Sequence, residues 1–321
     1  MKAAGIVIAA LAAAVTCSTQ AQTFPAKPIR IIVPLAPGGN VDIVARLLAQ
    51  HMAETFGQQV IVDNRPGASS LVGTQQVAKA PGDGYTLLAM ANTFAMVPSI
   101  ISNPGYDPLK DFSAVTLTCL VPQVVIVNPS LPVRSIKELI ALARARPGQI
   151  AYGTSGAGGT GHMATVLLAN QTGVKLLHIP YKGNAPALID LVGGQIMMMF
   201  DQISTSEQYI KGGKVRALAV SSLTRSPLFP DLPTISESGA PGYEDVTFNG
   251  LMAPAGTPLT ARARIQEEVA RIVRIPALRD RYLERGIELK ASASPDEFAA
   301  YVKAEFDKKA KLAREANIRL D

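Results

Sequence analysis

The chain has 321 residues, 48% of them hydrophobic and 17% charged, the balance of folded domains rather than of disordered or fibrous chains. That length suggests two domains, each able to bury its own core. The net charge of +6 comes without the basic clusters a nucleic acid would need. No Trp, three His and two Cys leave little for an indole cage, a metal cluster or an iron–sulfur site. No nucleic-acid partner, metal or cofactor is therefore expected.

Lys2 precedes a short apolar stretch over residues 3–15, and Thr19-Gln20-Ala21 offers a small-x-small cleavage site. This reads as a secretory signal peptide over residues 1–21, with the mature chain starting at Gln22. The stretch is shorter than the ~20 residues a membrane span needs. Cys17 raises a lipoprotein reading, but Ala14 and Thr16 stand where a lipobox carries an aliphatic and a small residue. A soluble, exported protein is expected. Loss of Cys17 leaves Cys119 alone, so no intrachain disulfide is possible. Cys119 lies in the apolar run 114–127 and reads as a buried structural thiol.

Along the mature chain, residues 28–33 form a β-branched run that reads as a strand, followed by Pro37-Gly38-Gly39-Asn40 and a helical period over 41–56. A strand at 59–62, a turn at Asn64-Arg65-Pro66-Gly67, a helix at 71–80, a turn at 81–84 and a strand at 85–90 follow. This β-α-β-α-β repeat implies a parallel sheet with helices on both faces. The pattern restarts after Pro122. Strands are expected at 123–127, 150–152, 175–179, 195–200 and 215–220, and helices at 135–146, 161–172, 185–192 and 204–211. Ser135 with Glu138 makes a capping box. Met197-Met198-Met199 could be a soft-metal site, but within a buried strand it reads as core. After Gly250 come a loop with Pro254, Gly256 and Pro258, then helices over 259–275, 276–285 and 295–315. The last helix is expected to pack back on the first domain. The expected fold is two doubly wound α/β domains around a ligand cleft. Domain I holds residues 22–121 and 250–321, domain II residues 122–249. The chain then crosses twice, near Val121-Pro122 and near Phe248-Asn249-Gly250, as in hinge-closing binding proteins.

Two glycine-rich loops carry the candidate chemistry. Pro37-Gly38-Gly39 joins the first strand to its helix, where bare backbone N–H groups favour an anion; Asp42 in that first turn suits the helix dipole. The second loop, Gly153-Thr-Ser-Gly-Ala-Gly-Gly-Thr-Gly-His162, has five glycines in nine residues. It contains a literal G-x-G-x-x-G from Gly156 to Gly161, the pattern of a dinucleotide site. No acidic residue follows at about 20 residues; His178, Tyr181 and Lys182 lie there instead. Ser155, His162 and Asp201 could make a hydrolase, but their order and the missing G-x-S-x-G elbow argue against it. Two loops, each at a strand's carboxyl end and a helix start, are where open α/β sheets bind ligands. Facing each other, they would hold an anion by N–H groups. No arginine clamp lies beside either: Arg46 is a turn into the first helix and Arg65 is in a turn.

The stretch 28–47, Pro-Ile-Arg-Ile-Ile-Val-Pro-Leu-Ala-Pro-Gly-Gly-Asn-Val-Asp-Ile-Val-Ala-Arg-Leu, resembles the opening of the Bug-type solute-binding proteins, the receptors of tripartite tricarboxylate transporters. Further stretches carry the same resemblance: Val62-Asp-Asn-Arg-Pro-Gly-Ala68, Gly82-Asp-Gly-Tyr-Thr-Leu-Leu88, the glycine loop 153–162, Pro180-Tyr-Lys-Gly183, Phe200-Asp201, Gly213-Lys-Val-Arg-Ala-Leu-Ala-Val220 and Ala253-Pro-Ala-Gly-Thr-Pro258. The likeness covers the mature chain in order. It implies a periplasmic receptor of periplasmic-binding-protein type without catalysis, taking small carboxylates. Its partners would be the membrane transporter subunits or, on a second reading, a sensor kinase, and a monomer is expected. It implies that one ligand carboxylate is held by backbone groups and two waters. Here those positions are Ala36, Pro37, Gly38, Gly39 and Asp42, with Thr154, Ser155, Gly158, Gly159 and Thr160 opposite. Asp201 corresponds to the family's Asp after Phe, and Asn92 and Thr93 border the cleft. Three positions depart from the family pattern: Leu35 stands where Phe is common, Pro81-Gly-Asp-Gly-Tyr85 is one residue longer, and Ala68-Ser-Ser-Leu71 has fewer glycines.

Overall fold

The computed structural model describes residues 24–181, 183–315, 318 and 319. Residues 1–21, the expected signal peptide, and Lys182 lie outside the described residues.

The first unit opens with β1 (Ile29–Val33), α1 (Asn40–Phe56), β2 (Val60–Asn64), α2 (Leu71–Ala78), β3 (Thr86–Ala91) and α3 (Thr93–Ile100). Then β4 (Phe112–Val127) runs through the molecule. The second unit follows with α4 (Ile136–Ala145), β5 (Ala151–Thr154), α5 (Thr160–Thr172), β6 (Leu177–Pro180), α6 (Asn184–Val192), β7 (Met198–Gln202), α7 (Ile203–Lys211), β8 (Arg216–Val220) and α8 (Ile235–Ser238). The chain returns along β9 (Val246–Pro254) and ends in α9 (Leu259–Val273), α10 (Pro276–Leu283), β10 (Glu288–Leu289) and α11 (Pro295–Glu315).

The sheet is not the all-parallel one that the repeat implies. β1 pairs in parallel with β2 and β3, but β9 is antiparallel to β3, and β4 is antiparallel to β9 and β10. In the second unit β5 is parallel to β6 and β7, while β4 is antiparallel to β7 and β8. The cause is β4 itself. Its residues Phe112 to Pro122 pair with β9, and Gln123 to Val127 pair with β7 and β8. Pro122 sits where the ladder passes from one set of partners to the other, a place where a missing N–H is tolerated. The return crossing lies beside it: Asp245 N–H donates to the Ser221 carbonyl, and Ser221 N–H to that of Gln123.

Each unit has its own core. Ile29, Ile31, Leu48, Met52, Leu87 and Ile265 belong to the first; Val125, Ile136, Tyr152, Leu168, Phe200 and Tyr243 belong to the second. Met198 and Met199 are fully buried among apolar neighbours, as core residues. Cys119 is buried, accepts from Asn249 Nδ2 at 3.2 Å, and its thiol is pushed up to about 12 by burial. At α4, Ser135 Oγ accepts from Glu138 N–H, but the Glu138 carboxylate reaches Arg134 N–H instead of closing the expected box.

Helix α11 does pack on the first unit, against α3 and β4, and it also reaches α5. Leu312 and Ala313 join Met96 and Ile100 of α3 and Met163 of α5 in one apolar cluster. The buried Lys309 ammonium pairs with the buried Asp245 carboxylate at the return crossing. A charged pair there is the arrangement in which loss of one partner is costly.

Candidate ligand-binding site

The loop after β1 exposes Ala36, Pro37, Gly38 and Gly39. Its shape is fixed from below by Asp42, which is 3% exposed. One Asp42 oxygen accepts from Gly38 N–H at 2.9 Å and from Arg46 Nε at 3.1 Å; the other accepts from Asn64 Nδ2 at 3.0 Å. Burial alone would raise the Asp42 pKa. The hydrogen bonds from Arg46, Gly38 and Asn64 outweigh it and hold the carboxyl below its ordinary value. Asp42 therefore organises the loop, and Arg46 is spent on Asp42 and Asn64. Arg65 is likewise held by Asp63 at 3.0 Å. At the start of α1 the N–H groups of Gly39, Asn40 and Val41 have no partner among the described residues, as helix geometry requires of a first turn.

The loop after β5 is built the same way. Thr154 is buried, and its hydroxyl donates to the Gly156 carbonyl at 3.1 Å. The same hydroxyl lies 2.7 Å from His178 Nε2. Buried Gly158 donates its N–H to His162 Nδ1 at 2.9 Å, so His162 is neutral there. The two imidazoles stack with centroids 4.0 Å apart. Burial, and then His178, push the His162 pKa down to about 4; burial also lowers that of His178. Ser155 is exposed, while Gly159 and Thr160 are half-buried. The N–H groups of Thr160, Gly161 and His162 open α5 without partners among the described residues.

The two loops meet at the end of β7. A Cβ on Gly161 would lie 2.8 Å from the Phe200 carbonyl, so α5 starts directly against that strand. This close packing accounts for the last glycine of the G-x-G-x-x-G pattern. Two residues on, Gln202 Oε1 accepts from Asn40 Nδ2 at 2.7 Å, which ties the first residue of α1 to the start of α7. Sequence reading does not find this pair, because nothing local links residues so far apart in the chain.

Asp201 and Asn92 face inward. Asp201 is fully buried, accepting from Asn184 Nδ2 at 2.7 Å and Thr205 Oγ1 at 2.5 Å. Burial raises its pKa against those hydrogen bonds. Asn92 accepts from Phe248 N–H at 2.7 Å and donates to the Val246 carbonyl at 3.3 Å, fastening β3 to β9. Thr93 begins α3, its hydroxyl 3.4 Å from that of Ser70. Ser155, His162 and Asp201 are not joined by hydrogen bonds. Among the described residues no group of three His, Cys, Asp or Glu could hold a metal, and no helix is long and apolar enough to cross a membrane.

Asp42→Ala is expected to lower stability by about 1–3 kcal/mol, since it strips Gly38, Arg46 and Asn64 of their acceptor. It should also weaken ligand binding, because Gly38 loses its anchor; Asp42→Asn should fall between. Urea denaturation with calorimetry on the same samples checks this.

Residues 44–318 match the model of the tripartite tricarboxylate transporter family receptor. Protein BugT of Bordetella pertussis is 34% identical over 318 residues, covering 98% of this chain and 97% of that one. Among solved structures, Rpa4515 of R. palustris with adipate superposes with a TM-score of 0.80 at 36% identity, covering 92% of this chain and 99% of that one. MatC from Rhodopseudomonas palustris with bound malate gives 0.76 at 30% identity, covering 90% and 99%. The chain belongs to the tripartite tricarboxylate transporter receptor family.

Proposed function

We propose that this protein is an exported, non-catalytic receptor that captures a small carboxylate between the β1–α1 and β5–α5 loops and delivers it to membrane transporter subunits. The observation that carries this reading is the convergence of two helix starts, each with three unclaimed N–H groups, at the end of β7. Such groups favour an anion. The arginines nearby are already paired with Asp42 and Asp63, so the backbone is left to recognise the ligand. Two relatives of similar fold hold adipate and malate, which supports a dicarboxylate. In this reading Asp42, Thr154, Asn92 and Asp201 shape the loops, and Gly39, Ser155, Gly159, Thr160 and Thr93 line the ligand's space. The moving units are the residues through Pro122 with those from Val246 on, and residues 123–245 between them. The signal peptide over residues 1–21 directs the chain to the periplasm.

A thermal-shift panel of succinate, malate, adipate, citrate and glutamate tests the reading. At 100 times its dissociation constant a bound acid adds about 2.7 kcal/mol of stability. A saturable rise with at least one acid is expected; no rise with any of them, or with other carboxylates, would remove the reading.

A further inference from the structure

A cavity of about 700 Å³ lies between the two units, and no residue of the two ligand loops lines it. One wall is the segment after β8, from Ser222 to Pro227; the other is built by α9, α10 and the chain around β10. Val273, Leu283 and Leu289 give it an apolar floor. Its rim is basic: Arg225, Arg274, Arg279 and Lys290 outnumber Glu288 and Glu297. Arg225 is paired with Glu237. Arg274, Arg279 and Lys290 are exposed, and no carboxylate among the described residues pairs with them.

We propose that this groove docks an acidic segment, with apolar residues among its acids, from the membrane partner of the transport system. The proposal rests on the receptor reading above. An apolar floor and an unpaired basic rim are complementary to that chemistry. Because its walls belong to both units, the groove changes width when they rotate about Pro122 and Ser221. A segment that fits one width therefore distinguishes the liganded receptor from the empty one, which needs only a difference in affinity between the two states.

The test is co-sedimentation of the receptor with proteoliposomes carrying the membrane subunits, alone and with the panel acid that binds best. Wild-type association should weaken at high salt. Arg274→Glu with Arg279→Glu should reduce it by about tenfold or more, while binding of the panel acid by the isolated variant stays within about twofold of wild type. Arg146→Glu, an exposed charge reversal outside the groove, should leave association unchanged. Wild-type association by the double variant, or no association by the wild type, overturns the docking proposal. If no panel acid binds either protein, the receptor reading itself fails.

Discussion

Gly39→Val is expected to weaken carboxylate binding by tenfold or more while the protein keeps its fold. Gly39 has φ −80° and ψ 167°, a conformation valine adopts readily. A Cβ there meets nothing within 4 Å, so the new side chain enters open space in front of the α1 N–H groups. Its cost to the helix start is about 1 kcal/mol or less. The expected loss is large because few interactions carry the affinity. Micromolar binding needs about −8.2 kcal/mol, and charge-assisted hydrogen bonds contribute roughly 1.5–3 kcal/mol each. Three or four of them approach that figure before entropy costs, so displacing the carboxylate from one helix start removes much of it. Gly159→Val is a less clean probe. Its Cβ would lie 2.8 Å from Ser155 Oγ and 3.2 Å from the Gly156 carbonyl, so it strains the loop as well. Arg65→Ala should change binding little, since Arg65 is occupied by Asp63. Titration calorimetry on the three variants decides the matter. If Arg65→Ala abolishes binding and both glycine variants bind normally, an arginine clamp replaces the backbone cradle.

The strand–helix alternation is legible in the sequence because helices such as α1 and α4 repeat apolar residues at helical spacing and the turns between them carry Gly, Pro or Asn. The loops are legible for the same reason: glycines between a strand and a helix mark the places where backbone is exposed. What local pattern does not reveal is the centre of the molecule. β4 is buried at nearly every position, yet Ser113, Thr116, Thr118, Pro122 and Gln123 interrupt its apolar residues, so only its end, 123–127, reads as a strand. β9 escapes sequence reading for a different reason. Asn249-Gly250 carries a turn signal, yet both lie in mid-strand. Gly250 is there because the Phe298 ring of α11 packs on it, and a Cβ would collide with that ring. Asn249 donates to Cys119 Sγ. α3 escapes too, although it begins at Thr93, because Pro98 interrupts its pattern. The Asn40–Gln202 bond and the His162–His178 stack depend on tertiary approach alone.

Acidification should destabilise the protein through His162. In the native state burial, and then His178, hold its pKa down at about 4, and Nδ1 accepts the Gly158 N–H. In the unfolded chain the same ring titrates near ~6.5. Between those two values the unfolded state binds a proton that the native state refuses. Stability is therefore fully present above about pH 6.5 and falls as the pH drops toward about 4, by up to about 1.4 kcal/mol per pH unit from this residue. Over the whole window that is about 3 kcal/mol. His178, lowered by burial as well, acts in the same direction. Carboxylates also titrate toward acid pH, so the comparison must be with a variant that keeps the acceptor and loses the titration. His162→Asn does this, since its Oδ1 can stand where Nδ1 accepts from Gly158. Its stability at neutral pH should be lower for want of the stacked ring, but its loss between about pH 6.5 and about pH 4 should be shallower than wild type. Urea midpoints across that range measure both slopes. Parallel curves for the two proteins would show that His162 is not the acid-sensitive group.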